Sequence, residues 1–198
     1  MTVPTDSRST RNIKDEKERL QKMAELGRDY AYWSMGKWGF LAPGLVGICP
    51  QGYFVFAPEN VFTSEDRGVF DMASKLICVS YQAVGGAIVV EASIKSAPVE
   101  NQKKVITTDQ ASSSGVMIIS ETRLHSSKLL LKTIRDKQDQ FVRLQEDQTL
   151  NYQVSSGRYT NFIPAGRSTG GFVEEAKGAV ERMGLNVQLY QERPFDYS

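Results

Sequence analysis

Gly85-Gly86-Ala87-Ile88-Val89-Val90-Glu91-Ala92-Ser93-Ile94 is the stretch on which the fold turns. From Ala87 onward it is rich in β-branched residues and nearly all apolar, the composition of a strand buried on both faces. A second such run, Gly115-Val116-Met117-Ile118-Ile119-Ser120-Glu121-Thr122-Arg123, follows it. Val89, Val90, Ile118 and Ile119 are the expected heart of the core. Two interior strands require neighbours at their edges and cover on both faces, and the rest of the chain supplies candidates for each.

Gly44 to Cys49 and Tyr53 to Ala57 flank Pro50-Gln51-Gly52, the pattern of a β-hairpin. Lys128 to Arg135 and Gln140 to Gln145 flank Asp136-Lys137-Gln138-Asp139 in a second hairpin. Tyr159 to Pro164 reads as a short edge strand and Val187 to Tyr190 as a last short strand. Helices are expected in three places. From Asp15 to about Ser34, Leu20, Met23, Ala24, Gly27, Tyr30 and Ala31 recur at helical spacing. Ser64-Glu65-Asp66 opens a second helix with a hydroxyl cap and first-turn acids, and Leu76 to Gln82 suits either a helix end or a strand. Phe172 to Met183 is the third, with Gly184 as its C-terminal cap. The expected fold is α+β: a mixed, mostly antiparallel sheet of at least five strands with helices packed against it.

The organisation expected is a flexible tail over 1–12 and one α+β domain over 13–198, with long loops near 97–114 and 147–171. The 198 residues suit one core. Lys plus Arg number 24 against 23 acids, a formal net charge of +1, which argues against a nucleic-acid partner because phosphate binding needs a basic excess. No apolar run approaches the ~20 residues of a membrane span. Residues 1–20 lack the apolar segment of an export signal. Cys49 and Cys78 sit in apolar runs and read as reduced core residues. The expected location is therefore cytoplasmic.

A lysine- and glutamate-rich first helix, a hairpin, a helix running into Ala87-Ile88-Val89-Val90-Glu91-Ala92, then Met117-Ile118-Ile119-Ser120-Glu121 and a charged hairpin ending Phe141-Val142-Arg143-Leu144 form one sequence of features. Over residues 14 to 145 it resembles small uncharacterised proteins of bacterial and phage genomes. That resemblance carries no diagnostic motif and no activity, so it transfers no site residue.

Four constellations bear on chemistry. Glu121, Arg123 and His125, the only histidine, would share one face if the strand continued through them, with Glu91 at similar depth in the preceding strand. Such a set suits general acid/base work, and the bland alternative is a solvated strand end. Gly166-Arg167-Ser168-Thr169-Gly170-Gly171 precedes a helix and offers backbone N–H groups for phosphate, with Arg167, Ser168, Thr169 and Gly170 as candidates. It lacks both the P-loop lysine pattern and the dinucleotide fingerprint, so a linker or cap is the plainer reading. Lys128, Leu130, Lys132 and Ile134 share a hairpin face that reads as edge protection before it reads as a surface for nucleic acid or an acidic partner. Tyr30, Tyr32, Trp33, Trp38 and Phe40 crowd the end of the first helix. They either anchor it on the core or present a partner surface, most simply a homodimer, with Trp33, Trp38, Tyr30 and Phe40 as the interaction residues. One histidine and two separated cysteines give no metal-ligand spacing, and no cofactor is expected. The function expected is a non-enzymatic interaction protein, a bacterial or phage accessory factor. The alternative is a small enzyme or phosphate-binding protein using Glu121, Arg123, His125 or the Gly166–Gly171 loop.

Overall fold

A computed structural model of the chain describes residues 7–58, 63–94, 113–146, 159–166 and 168–195. The elements run α1 (Ser7–Trp38), β1 (Gly44–Cys49), β2 (Gly52–Phe56), α2 (Ser64–Ser80), β3 (Gly85–Ile94), β4 (Ser113–Thr122), β5 (Ser126–Arg135), β6 (Phe141–Glu146), α3 (Gly170–Arg182) and β7 (Gln188–Tyr190). The strands form one seven-stranded sheet in the order β6-β5-β4-β3-β1-β2-β7. The fold is α+β, with helices packed on the sheet.

Every ladder among the described residues is antiparallel. The expectation of a mixed sheet came from the helical crossover between β2 and β3, which must run parallel. They do, but β1 lies between them, so the parallel pair never shares hydrogen bonds. The two apolar runs are the central strands, in register with Val89 opposite Ile118 and Ile88 opposite Ile119. Val89, Val90, Ile118 and Ile119 are all buried.

The period of two in a strand sends successive side chains to opposite faces, and both faces are covered near the centre. On one, α1 lays Met23, Leu26, Tyr30 and Met35 against Val46, Ala87, Val89, Val116 and Ile118. Gly27 permits the close approach: a Cβ there would lie 2.7 Å from Ile118 Cγ2. On the other face, α2 and α3 cover Leu45, Phe54, Ile88, Val90 and Ile119 with Phe70, Ala73, Ile77 and Val180.

Several boundaries differ from expectation. Helix α1 begins at Ser7, inside the segment read as a tail over 1–12. Residues 1–6 lie outside the described set, as do 95–112 and 147–158, where most of the expected loops fall. Helix α2 is capped one residue earlier than read, by Thr63, whose side chain accepts from Asp66 N while Asp66 Oδ2 accepts from Thr63 N at 2.8 Å. Its end is helical through Ser80, and Tyr81, Gln82 and Ala83 N–H groups close on Ile77, Val79 and Cys78 carbonyls. The expected edge strand at Tyr159 to Pro164 is instead an irregular segment held by side chains, as follows.

Candidate functional site

Strand β4 ends at Thr122, and Thr122 N donates to His125 O at 2.8 Å, so Arg123 and Leu124 form a tight two-residue turn into β5. The alternation that would align Glu121, Arg123 and His125 therefore stops at Thr122. Glu121 is 5% exposed, and both its oxygens accept backbone bonds: Oε1 from Asn161 N at 2.8 Å, Oε2 from Phe162 N at 2.9 Å and Ile163 N at 3.4 Å. Asp71 Oδ1 takes Tyr159 N at 2.9 Å in the same way. Tyr159 and Asn161 both sit at positive φ, 68° and 58°. A left-handed non-glycine residue costs about 1–2 kcal/mol, and a bond to a charged acceptor returns about 1.5–3 kcal/mol. The two carboxylates are thus used in holding the 159–163 segment over the core. Glu121 does not orient the imidazole: His125 is half-buried, and its Nε2 lacks a hydrogen-bond partner among the described residues. Glu91 pairs with Val116 and is exposed on the α1 face of the sheet, whereas Glu121 pairs with Gly86 on the opposite face. The four groups read as one acid/base set are not brought together.

At this end of the sheet a cavity of about 400 Å³ opens between four connections. The β1–β2 turn gives Pro50, the α2–β3 turn gives Gln82 and Val84, the β4–β5 turn gives Arg123, and the segment before α3 gives Pro164, Gly166 and Ser168. So Arg123 and Ser168, from two constellations that the sequence keeps apart, share a wall. Arg167 lies outside the described residues. Thr169 is the N-cap of α3 without a side-chain capping bond, and Gly170 begins the helix.

The aromatic cluster divides. Tyr30 is fully buried, its ring over Gly44 and its hydroxyl donating to Ala42 O at 3.1 Å, and burial raises its pKa. It is core, which corrects its reading as an interaction residue: its position on the inward stripe of α1 places it over the sheet. Trp33 is half-buried and touches Trp38, with centroids 4.8 Å apart, and Phe195, 5.1 Å away. Trp38 is 38% and Phe40 57% exposed, and their rings stack. Lys37 Nζ stands over both indoles, 4.9 Å from Trp33 and 5.2 Å from Trp38. Trp33, Lys37 and Trp38 open onto a groove of about 630 Å³, bounded across from α1 by Phe56, Leu185, Tyr190 and Phe195. The groove adjoins the C-terminal end of β2 and the cavity adjoins the β1–β2 turn, so they occupy opposite ends of that hairpin. Among the described residues, the outer edge of β7 is unpaired.

Sequence reading missed the partners that complete the groove, Leu185 and Phe195. Phe195 gave one signal, a lone large apolar residue in a polar C-terminal stretch. Cys49 and Cys78 are buried free thiols, and Cys78 is held neutral by burial first and by the nearby Glu121 charge second. Among the described residues no three His, Cys, Asp or Glu side chains cluster as metal ligands, and no helix is long and apolar enough to cross a membrane. No family model matches the chain, and neither the curated proteins nor the solved structures contain a match to it.

Proposed function

We propose that this protein is a non-enzymatic interaction protein that docks an extended segment of a partner polypeptide along the groove beside β7. The observation that carries this reading is the exposed Trp38, stacked on Phe40, in the wall of a groove next to a strand edge that is unpaired among the described residues. A free edge offers backbone hydrogen bonds to an added strand, and adjoining pockets select its side chains. Tryptophan is enriched where such contacts carry most of the affinity. Lys37 is the one charged side chain bordering the groove among the described residues. The complementary segment therefore carries a large apolar residue beside Asp or Glu. The commitment of Glu121 to backbone donors supports a binding role over acid/base catalysis at the β4–β5 turn. Two buried free thiols fit a reducing, cytoplasmic setting, and the resemblance to bacterial and phage proteins fits an accessory factor.

The test is selection from a random peptide library on the full chain, followed by fluorescence anisotropy of the enriched peptides. Acidic–aromatic sequences are expected, weakened about tenfold or more by Trp38→Ala and weakened by Lys37→Glu through charge reversal. Peptides that bind Trp38→Ala as well as wild type would overturn the groove assignment. Light scattering distinguishes the competing occupant: a dimer that Trp38→Ala dissolves would assign the groove to a second copy of the chain.

A further inference from the structure

Arg123 is the one charged side chain bordering the cavity at the β1–β2 turn, among the described residues. Its Nε is buried with no hydrogen-bond partner among the described residues. No carboxylate among the described residues pairs with its guanidinium. The acid two residues before it, Glu121, is committed to Asn161, Phe162 and Ile163. A partly desolvated cation without a counter-ion is unfavourable, so the local field favours an anion at this position.

The wall defines which anion. Arg123 comes from the β4–β5 turn, Ser168 from the segment before α3, and Gln82 from the turn after α2, and each carries a side-chain donor. Donors arriving from three separate segments suit a tetrahedral oxyanion better than a flat carboxylate, which a single guanidinium fork satisfies alone. The carbonyls that end α2 do not oppose it, since Ile77, Cys78 and Val79 oxygens already accept from Tyr81, Ala83 and Gln82. Pro50, Val84 and Pro164 form apolar wall. A volume of about 400 Å³ leaves room for an organic group beyond the phosphate, since small-molecule sites span about 300–1,000 Å³.

We infer that this cavity binds a small phosphate monoester, with Arg123 and Ser168 on the phosphate and Pro50, Val84 and Pro164 against the organic group. The site is independent of the groove at the other end of the hairpin. Calorimetric titration of the full chain with inorganic phosphate, phenyl phosphate and benzoate, at constant ionic strength, tests it. Phenyl phosphate binds most tightly, inorganic phosphate less so and benzoate least. Arg123→Gln weakens phenyl phosphate about tenfold or more, and Ser168→Ala about threefold, each with an unchanged melting temperature. No binding of either phosphate by the wild type at ~10 mM overturns the inference, that concentration being well above a millimolar Kd. Benzoate binding as tightly as phenyl phosphate overturns the choice of phosphate. Equal affinity in a folded Arg123→Gln overturns the site. Should Arg123→Gln fail to fold, Ser168→Ala decides: unchanged phenyl phosphate affinity there refutes the assignment, and a loss supports it.

Discussion

At the scale of single residues, the carboxylate of Glu121 shows how a group with the look of chemistry is spent on architecture. Three backbone N–H groups converge on it from a segment with no regular structure of its own. Glu121→Gln keeps the shape but puts an NH₂ where an acceptor stood, so one or more donors lose their partner. The expected loss is about 2–3 kcal/mol, read by urea denaturation, with faster amide exchange at Asn161, Phe162 and Ile163. A stability within about 0.5 kcal/mol of wild type, the range of ordinary surface changes, would show that the carboxylate does not hold the segment. Cys78 gives a pH dependence. Its thiol is raised from 9.0 by burial and then by Glu121, so the folded protein keeps the proton that the unfolded chain releases. The contribution is present below about pH 9 and is lost as pH rises above it, because the unfolded state then binds fewer protons. Denaturation midpoints should fall from about pH 8 to about pH 10, with Cys78 inert to thiol reagents at both while folded. Labelling of the native protein at the rate of free cysteine would contradict the burial.

At the scale of elements, two helical glycines make opposite demands. A helix interior favours alanine over glycine by about 1 kcal/mol. In α2, Gly68 has nothing within 4 Å of an added Cβ, so Gly68→Ala should stabilise by up to about that amount. In α1, Gly27 faces the sheet, with Ile118 Cγ2 2.7 Å, the Ala87 methyl 3.2 Å and Val89 Cγ2 3.3 Å from an added Cβ. Gly27→Val must push the helix off the two central strands and should cost about 1–3 kcal/mol. Thermal melts of the pair separate the effects. A Gly27→Val protein as stable as wild type would mean that α1 does not dock where described.

At the scale of the whole molecule, the C-terminal segment ties the edge of the sheet to α1. After β7, Arg193 pairs with Asp29, and Phe195 is 5% exposed with its ring 5.5 Å from Tyr30 and 5.1 Å from Trp33. One residue thus supports both the core under α1 and a wall of the groove. Phe195→Ala should cost about 3 kcal/mol, as phenylalanine truncations in cores do. It should also move tryptophan emission to longer wavelength as Trp33 gains water. Unchanged emission would place Trp33 outside the influence of this segment.

The apolar runs Ala87–Ile94 and Val116–Ile119, both hairpins and the stripe of α1 were legible in the sequence, because period and turn chemistry are local properties. They fix which strands are interior and which helix face is buried. The position of β1 between β2 and β3 was not legible, since strand order depends on contacts between residues distant in the chain. The same limit applies to the sites. Arg123 and Ser168 each stood out beside near neighbours, yet their shared wall exists only because three turns and the segment before α3 meet at one end of the sheet. Glu121 beside His125 suggested catalysis, and only the fold revealed the 159–163 segment, some forty residues away, that claims the carboxylate. Tyr30 and Phe40, ten residues apart in one aromatic cluster, part company because one lies on the stripe of α1 that meets the sheet while the other lies beyond the helix end.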